Sequence, residues 1–152
     1  MTGSGINAHT TVIAVGLTGL AFVGPSGSGK SSLAFSCIAE ARRNGRYGAL
    51  VADDQAWLQI LNGSVIASRP VATAGLLELR HSGIVEMGGQ RSTVIHYCVL
   101  PVGNEAERLP LDDECYEFAA NISVPLLRIV IGCSSPLAWI ESLIGTRHRS
   151  DD

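Results

Sequence analysis

This sequence has no long apolar run and no block of basic residues. Its longest apolar stretches, such as residues 20–23 and 124–131, fall short of the roughly 18 residues that a membrane-spanning helix needs. Its 11 Lys and Arg residues are outnumbered by 14 Asp and Glu residues, which gives a formal net charge of -3. We therefore expect no membrane span, and the charge gives no electrostatic support to nucleic-acid binding.

Cysteine is scarce as well, and the four thiols are isolated from one another in sequence. None of Cys37, Cys98, Cys115 and Cys133 forms a C-x-x-C pair or stands at zinc-ligand spacing from a histidine. This pattern favours reduced, mostly buried thiols over a disulfide framework or a structural metal site. The first five residues also lack the basic and apolar segments of a secretory signal, so we expect a cytoplasmic protein.

What remains is the composition of an ordinary globular chain. With 152 residues, 46% hydrophobic and 16% charged, the sequence can form one domain around a continuous core. Apolar runs and helical spacing predict strands over residues 10–15, 20–23, 49–52, 57–61, 64–67, 83–87, 93–100 and 126–131, and helices over residues 31–43 and 136–144. We infer an α/β fold with a mixed sheet in a single domain, residues 1–145, followed by a flexible tail, residues 146–152.

A glycine-rich segment between a predicted strand and a predicted helix carries the most informative motif. It matches the pattern G-x-x-x-x-G-K-[ST] of a phosphate-binding loop, the P-loop. Glycines let the backbone wrap an anion with its N–H groups, and the following helix directs its positive end at the same point. The alternative is a glycine-rich turn with a solvated lysine, and the strand–loop–helix order argues against it. The residues predicted to hold a nucleotide are Gly24, Pro25, Ser26, Gly27, Ser28, Gly29, Lys30, Ser31 and Ser32.

The side chains around this loop predict triphosphate and magnesium chemistry. Lys30 supplies a positive charge for the β- and γ-phosphates, and Ser31 supplies a hydroxyl for Mg²⁺. Asp53 and Asp54 close a predicted buried strand, where a carboxylate on the metal side is needed. Because neighbouring residues at a strand end point in different directions, one can face the metal and the other an incoming hydroxyl, as a general base. The alternative is a turn-forming pair that caps the next element.

Four other polar residues have two interpretations each on local evidence. His9 precedes the first predicted strand and on its own is typical of a surface histidine. Glu78 and Arg80 would share one face of an extended segment, where they either reach a metal and a phosphate or form an exposed ion pair. Arg108 is a loop arginine, which on its own is typical of a solvated charge.

Taken in order along the chain, these residues resemble the catalytic domain of bacterial HPr kinase/phosphorylase. His9 stands fifteen residues before the P-loop, and Gly19 lies in the intervening hairpin. Residues 50–54 match the family's L-V-A-D-D strand end, and residues 76–84 resemble its L-L-E-I-R-G-L-G-I signature. Arg108 falls where the family has an arginine before its C-terminal segment. The P-loop is generic, but the ordered set of histidine, P-loop, paired Asp and E-x-R-x-x-G-I is specific.

The resemblance implies a P-loop core related in fold to PEP carboxykinase, and a serine kinase. Such an enzyme transfers a phosphoryl group from ATP, with Mg²⁺, to a seryl hydroxyl of HPr, a small phosphocarrier protein. Family members assemble as hexamers, so a homo-oligomer is implied as well. The roles that the resemblance implies are metal binding for Ser31, Asp53 and Glu78, general base for Asp54, a place beside the transferred phosphate for His9 and Lys30, and support of the transition state or the partner for Arg80 and Arg108.

The sequence departs from the family pattern at several places. The family's separate N-terminal domain has no counterpart in these residues, and the segment between Ser31 and Asp53 is several residues longer. His81 and Ser82 stand where the family has glycine and leucine. The family's R-P-G-R-N stretch, tied to dephosphorylation, is replaced by residues 125–131, which argues against phosphorylase activity more than against kinase activity.

Two other functions are open on the sequence alone. One is a different P-loop enzyme, either a small-molecule kinase or an NTPase, although no N-K-x-D guanine motif is present. The other is a nucleotide-sensing regulator of the phosphotransferase system that binds HPr without modifying it.

Overall fold

A computed structural model describes residues 5–111 and 113–150 of the chain. The strands are β1 (Gly5–Ala8), β2 (Thr11–Val15), β3 (Thr18–Phe22), β4 (Gly48–Ala52), β5 (Ala56–Leu61), β6 (Ser64–Ser68), β7 (Leu76–Leu79), β8 (Gly83–Glu86), β9 (Ser92–Val94), β10 (Tyr97–Val102), β11 (Cys115–Ala119) and β12 (Ile122–Val130). The helices are α1 (Lys30–Arg43) and α2 (Pro136–Ser150), with a single 3₁₀ turn at Val71–Thr73.

A six-stranded sheet lies at the centre, in the order β11-β12-β10-β3-β2-β4. β10 runs parallel to β3 and β12, whereas the other neighbouring strands are antiparallel. The α/β class with a mixed sheet, predicted from the sequence, is therefore confirmed. A four-stranded antiparallel sheet, β1-β5-β6-β9, and the two-stranded hairpin β7-β8 stand beside the central sheet.

The central sheet buries apolar side chains on both of its faces. Along β2, Val12 and Ile13 fall into different apolar clusters, as the alternation of side chains along a strand requires. One cluster joins the central sheet to the four-stranded sheet through residues such as Leu58. The other joins it to the helices through residues such as Ile38 and Ile140. Burial on both faces explains why the strands next to the P-loop are continuous apolar runs.

Helix α1 begins at Lys30, one residue before its predicted start, and ends at Arg43 as predicted. Gly29 precedes it with a φ of 99°, a left-handed conformation in which a glycine carries no steric cost. At the other end, Arg42 and Arg43 lie in the last turn, where positive charge complements the helix dipole. The sequence therefore located this helix correctly, because its apolar spacing and its end signals agree.

Helix α2 is longer than the sequence indicated. The prediction ended it at Ile144 and assigned a flexible tail to residues 146–152, but the helix continues to Ser150. The predicted end of the helix was wrong, because a tertiary contact holds its polar last turns: Arg147 Nη2 donates a hydrogen bond to Leu126 O at 2.8 Å. Residues 151 and 152 lie outside the described residues. Neither helix of the described chain is long and apolar enough to cross a membrane.

The strand predicted over residues 93–100 is two strands in different sheets. β9 pairs with β6, whereas β10 pairs with β3 and β12. The chain crosses between the sheets at His96, whose backbone N–H donates to Gly19 O at 2.9 Å. The His96 ring Nδ1 accepts the Gly19 N–H at 3.0 Å, and a Cβ on Gly19 would overlap the Val94 carbonyl. The sequence alternation continues through this crossing and therefore did not reveal it.

One predicted turn is present in the structure, whereas several edge strands were not predicted. The hairpin predicted at Asn62 and Gly63 is confirmed, with φ of 51° and 78°, as a type I′ turn requires. Strands β1, β7 and β11 were not predicted. Each lies at the edge of its sheet, where a short strand has only one partner and a weak burial pattern.

Candidate active site

The site lies at one edge of the central sheet, where its parallel strands end. β3 leads directly into the P-loop, and β10 runs parallel beside it, so their carboxyl ends meet at this edge. In open α/β sheets, ligands bind outside the carboxyl ends of the strands. A cavity of about 190 Å³ opens there. It is lined by Ser26, Gly27, Gly29, Lys30, Ser31, Ser32, Asp53, Asp54, Glu78 and Arg80.

The P-loop backbone has the conformation of an anion cradle. Gly24, Gly27 and Gly29 have φ of 131°, 80° and 99°, which L side chains rarely adopt. The loop closes through a hydrogen bond from Ser28 N to Pro25 O at 3.1 Å. The buried hydroxyl of Ser28 has no hydrogen-bond partner among the described residues. Glycines in this conformation let a loop turn its backbone N–H groups toward an anion, so the loop fits the phosphate group that its sequence predicts.

Lys30 is a buried cation at the floor of this cavity. Its side chain is only 5% exposed, and Nζ donates to Gly24 O at 2.9 Å. Burial lowers the pKa of Lys30, while the negative charges of Asp54 and Asp53 oppose that shift. A buried ammonium that is incompletely neutralised favours an anionic ligand, because added negative charge offsets the cost of its desolvation.

The two aspartates point in different directions, as the strand-end argument expects. Asp53 points inward, and its Oδ1 accepts hydrogen bonds from the Ser31 hydroxyl at 2.6 Å and from the Thr11 hydroxyl at 2.9 Å. Its Oδ2 accepts the Glu78 backbone N–H at 3.0 Å. Since each carboxylate oxygen accepts about two hydrogen bonds, Oδ1 is saturated and Oδ2 retains one free direction.

Asp54 instead faces solvent at the mouth of the cavity. Its side chain is 61% exposed, and Oδ1 lies 3.2 Å from His9 Nε2 and 3.9 Å from Lys30 Nζ. His9 Nε2 also lies 3.4 Å from Ser26 Oγ, which ties the histidine to the P-loop. The Asp54 backbone has a φ of 68°, and this left-handed conformation turns its carboxylate away from that of Asp53. The arrangement leaves one accessible carboxylate beside the lysine, able to accept a proton from an incoming hydroxyl.

Glu78 and Arg80 reach the cavity from the β7-β8 hairpin. Leu77 is fully buried and anchors this hairpin in the cluster under α1, so its neighbour Glu78 faces outward. The guanidinium of Arg80 lies over the P-loop. Its Nη1 is so close to Gly27 that a Cβ at that position would come within 2.7 Å of it. The shared face predicted for Glu78 and Arg80 therefore lines the cavity.

Arg108 is the one predicted site residue that the structure leaves apart from this group. It is exposed on the loop between β10 and β11. It lines a separate cavity of about 730 Å³, together with Arg128 and Trp139. That loop leaves the same edge of the sheet as the P-loop, but Arg108 does not line the phosphate cavity. In this structure Arg108 belongs to the surroundings of the site and not to its centre.

A magnesium site would be completed by the nucleotide. No group of three or more His, Cys, Asp and Glu in residues 5–111 and 113–150 is arranged to hold a metal ion by itself. Mg²⁺ ordinarily takes one or two protein carboxylates together with water and phosphate oxygens, so a small protein share is expected. The hydroxyl of Ser31, the free direction of Asp53 Oδ2 and the exposed carboxylate of Glu78 would supply that share.

Thr11 is the residue at this site that sequence reasoning missed. Its hydroxyl donates to Asp53 Oδ1 and accepts the Asp54 N–H at 3.2 Å. In the sequence it is one β-branched residue of an apolar strand, and such a residue carries no local sign of a polar partner 42 positions away. Only the pairing of β2 with β4 brings it to the acids.

Several known proteins are similar to this chain in sequence. No protein-family model matches the sequence. An HPr kinase/phosphorylase of Clostridium perfringens is 27% identical over 93% of this chain and 47% of its own length. That of Clostridium beijerinckii is 28% identical over 93% of this chain and 48% of its own length. A third, from Clostridium tetani, is 35% identical over 52% of this chain and 24% of its own length. The chain resembles the HPr kinase/phosphorylases.

The structural comparison agrees with this resemblance. The Hpr(Ser) kinase/phosphatase from Coxiella burnetii superimposes with a TM-score of 0.73, covering 97% of this chain and 99% of that chain at 23% identity. The HPr kinase fold predicted from the sequence is therefore confirmed. The chain spans about half the length of the curated HPr kinase/phosphorylases that it matches.

Proposed function

We propose that this chain is an ATP-dependent serine kinase that phosphorylates an HPr-type phosphocarrier protein. One observation carries the proposal: the two aspartates have different surroundings. The exposed carboxylate of Asp54 lies 3.2 Å from His9 and beside the buried Lys30, whereas the carboxylate of Asp53 accepts a hydrogen bond from Ser31. A protein that only binds phosphate does not need a second carboxylate that faces solvent. An acid that faces solvent at the phosphate cavity is suited to a hydroxyl acceptor delivered by another molecule.

The nucleotide side of the reaction is assigned to the P-loop. Its backbone N–H groups and Lys30 would hold the ATP phosphates. Ser31, Asp53 and Glu78 would hold Mg²⁺, which when bound neutralises negative charge on those phosphates. Asp53 would act largely by orienting the Ser31 hydroxyl, because its Oδ1 is already saturated by hydrogen bonds.

The acceptor side is assigned to the mouth of the cavity. Asp54 would accept the proton of the incoming seryl hydroxyl, and His9 would hold the Asp54 carboxylate in place. Arg80 would face the negative charge that develops on the transferred group, because its guanidinium already lies over the P-loop. Arg108, on its exposed loop, would contact the partner and not the phosphates. Catalysis of this kind depends on positioning and charge stabilisation.

The proposal covers the kinase direction only. The R-P-G-R-N stretch that the family links to dephosphorylation does not occur in this sequence. We therefore expect no release of phosphate from phosphoserine HPr by this chain. Cytoplasmic location and assembly into a homo-oligomer are further parts of the proposal and follow from the resemblance to the family.

Substitution of the proposed base tests the function. Asp54→Asn removes the proton acceptor without changing its size, so transfer from radiolabelled ATP to purified HPr should fall by about 10²–10⁴-fold. ATP binding, measured by calorimetry, should persist, because Lys30 and the P-loop are unchanged. Glu86→Gln, at an exposed carboxylate of β8 outside the cavity, is the matched control and should transfer at the parent rate.

The assay separates the proposed function from its rivals. Labelled free phosphate without labelled HPr would indicate an NTPase. Transfer to small hydroxyl compounds in place of HPr would indicate a small-molecule kinase. Binding of both ATP and HPr by the parent chain with no turnover would indicate a regulator, and would contradict the proposal.

A further inference from the structure

The side chain of Thr11 connects the two aspartates of the site. It is fully buried at the start of β2, two residues after His9. Its single hydroxyl proton goes to Asp53 Oδ1 at 2.9 Å, and its oxygen accepts the Asp54 backbone N–H at 3.2 Å. One hydroxyl group therefore contacts the carboxylate assigned to the metal side and the backbone of the carboxylate assigned to the acceptor side.

We propose that Thr11 is a positioning residue that sets the opposed directions of the Asp53 and Asp54 carboxylates. The proposal rests on the proposed function for its effect on phosphoryl transfer. Its structural part, the effect on the two aspartates, stands independently of that function.

Strand β4 ends just before the two aspartates. The ladder between β2 and β4 ends with Val12 opposite Ala52, after a shift in register. Beyond that pair the chain leaves the sheet, and Asp54 takes a left-handed φ of 68°. The Thr11 hydroxyl accepts the Asp54 N–H at the point where the backbone ladder no longer does. An unpaired N–H there would weaken the hold on a conformation that non-glycine residues rarely adopt.

Hydrogen bonds hold the Asp53 carboxylate in one orientation. Thr11 and Ser31 together saturate Oδ1, so the carboxylate cannot rotate without breaking two hydrogen bonds. That leaves the remaining direction of Oδ2 as the one available to a ligand. A valine at position 11 would keep the volume and the β-branched shape but lose both contacts. A serine would keep the hydroxyl.

The functional test compares these two substitutions. Thr11→Val should lower kcat for transfer from labelled ATP to purified HPr by about tenfold, the loss expected for one misplaced hydrogen-bonded group. The KM for ATP should change by less than about threefold, because the P-loop backbone and Lys30 are untouched. Thr11→Ser should recover most of the lost rate. A purely structural role would lower the active fraction in both variants and would give no rescue by serine.

The structural test does not depend on any activity. Amide exchange followed by NMR should show the Asp54 N–H exchanging at least about tenfold faster in Thr11→Val than in the parent, with protection retained in Thr11→Ser. Thr10→Val is the matched control, because Thr10 is equally buried but donates its hydroxyl proton to Phe22 O at 2.8 Å instead of to an aspartate. It should leave Asp54 exchange unchanged.

The possible outcomes separate the positioning role of Thr11, its effect on catalysis and the proposed function. Unchanged Asp54 exchange in Thr11→Val, or equal acceleration in Thr10→Val, would overturn the positioning role. Faster Asp54 exchange with unchanged kcat would overturn the role in catalysis. A parent chain that transfers no phosphate, together with the expected exchange pattern, would instead count against the proposed function and leave the positioning of the acids supported.

Discussion

At the scale of single residues, the site depends on backbone conformations that side chains usually avoid. Asp54 and His81 are non-glycine residues with φ of 68° and 67°. The strain at Asp54 directs its carboxylate to the mouth of the cavity, away from that of Asp53. His81 stands where the family signature has a glycine, and its φ explains why glycine suits that position. The turn that follows Arg80 is therefore formed at a steric cost.

Relief of that strain gives a stability prediction. His81→Gly should raise the free energy of unfolding by about 0.5–1 kcal/mol, because glycine adopts a left-handed φ without steric cost. Urea denaturation of the two proteins measures the change. His81→Ala is the control, since it removes the imidazole but keeps the Cβ, and it should give no gain. An equal gain in both variants would show that the imidazole, and not the backbone, is the source of the cost.

At the scale of secondary-structure elements, a buried carboxylate joins the two helices. Glu40, near the C-terminal end of α1, accepts the backbone N–H groups of Leu137 at 3.2 Å and Ala138 at 2.9 Å. These N–H groups belong to the first turn of α2, where the helix dipole favours negative charge. The helix that carries the P-loop at its start therefore also holds the N-terminus of α2.

Loss of this contact should destabilise the fold more than loss of an exposed ion pair. Glu40→Ala removes a buried, charged acceptor and should lower the free energy of unfolding by about 2–3 kcal/mol. The comparison is Glu141→Ala, which breaks the exposed pair between Arg46 Nη1 and Glu141 Oε1 at 2.6 Å and should cost under about 1 kcal/mol. Denaturant titration of both variants provides the measurement. Equal losses would contradict a specific role for the Glu40 cap.

At the scale of the whole molecule, the central sheet joins the nucleotide cavity to the rest of the fold. β3 precedes the P-loop, β4 precedes the acid pair, and β2 lies between these two strands. Ligand contacts at the cavity are therefore made on elements that share the two main apolar clusters. A ligand bound there should stabilise the molecule as a whole, since it binds only the folded state.

Nucleotide binding should accordingly raise the melting temperature. ATP with Mg²⁺ at a hundred times its Kd should add about 2.7 kcal/mol, a shift of about 5–10 °C for a domain of this size. Chelation of the metal should reduce this shift. Mg²⁺ would be held jointly by phosphate oxygens and by the protein, so its removal should weaken nucleotide binding. Scanning calorimetry with and without a chelator measures both effects.

Lys30→Met provides the control for that measurement. The variant should lose the shift, because it lacks the cation that meets the phosphates. Burial lowers the pKa of Lys30, so at neutral pH the charged lysine destabilises the folded state. This destabilisation disappears only when the pH rises above the ordinary pKa of lysine. Without ligand, the methionine variant should therefore melt no lower than the parent. A full ATP shift in Lys30→Met would contradict the assignment of the P-loop as the nucleotide site.

The sequence by itself determined the P-loop, the helix that follows it, the Asn62-Gly63 hairpin and the mixed α/β class. Each of these follows from local rules: glycine conformations, helical spacing and turn chemistry act between residues that are close in the chain. Those rules also led to a helix α2 that was too short and to one strand in place of β9 and β10.

Only the tertiary structure decided which polar groups meet at the site. It placed Thr11 against both aspartates and Arg80 over the P-loop, and it left Arg108 outside the cavity. The contact between Thr11 and Asp53 spans 42 positions, and the one between Glu40 and Ala138 spans 98. Such partners are chosen by strand order and packing, and no local pattern in the sequence records them.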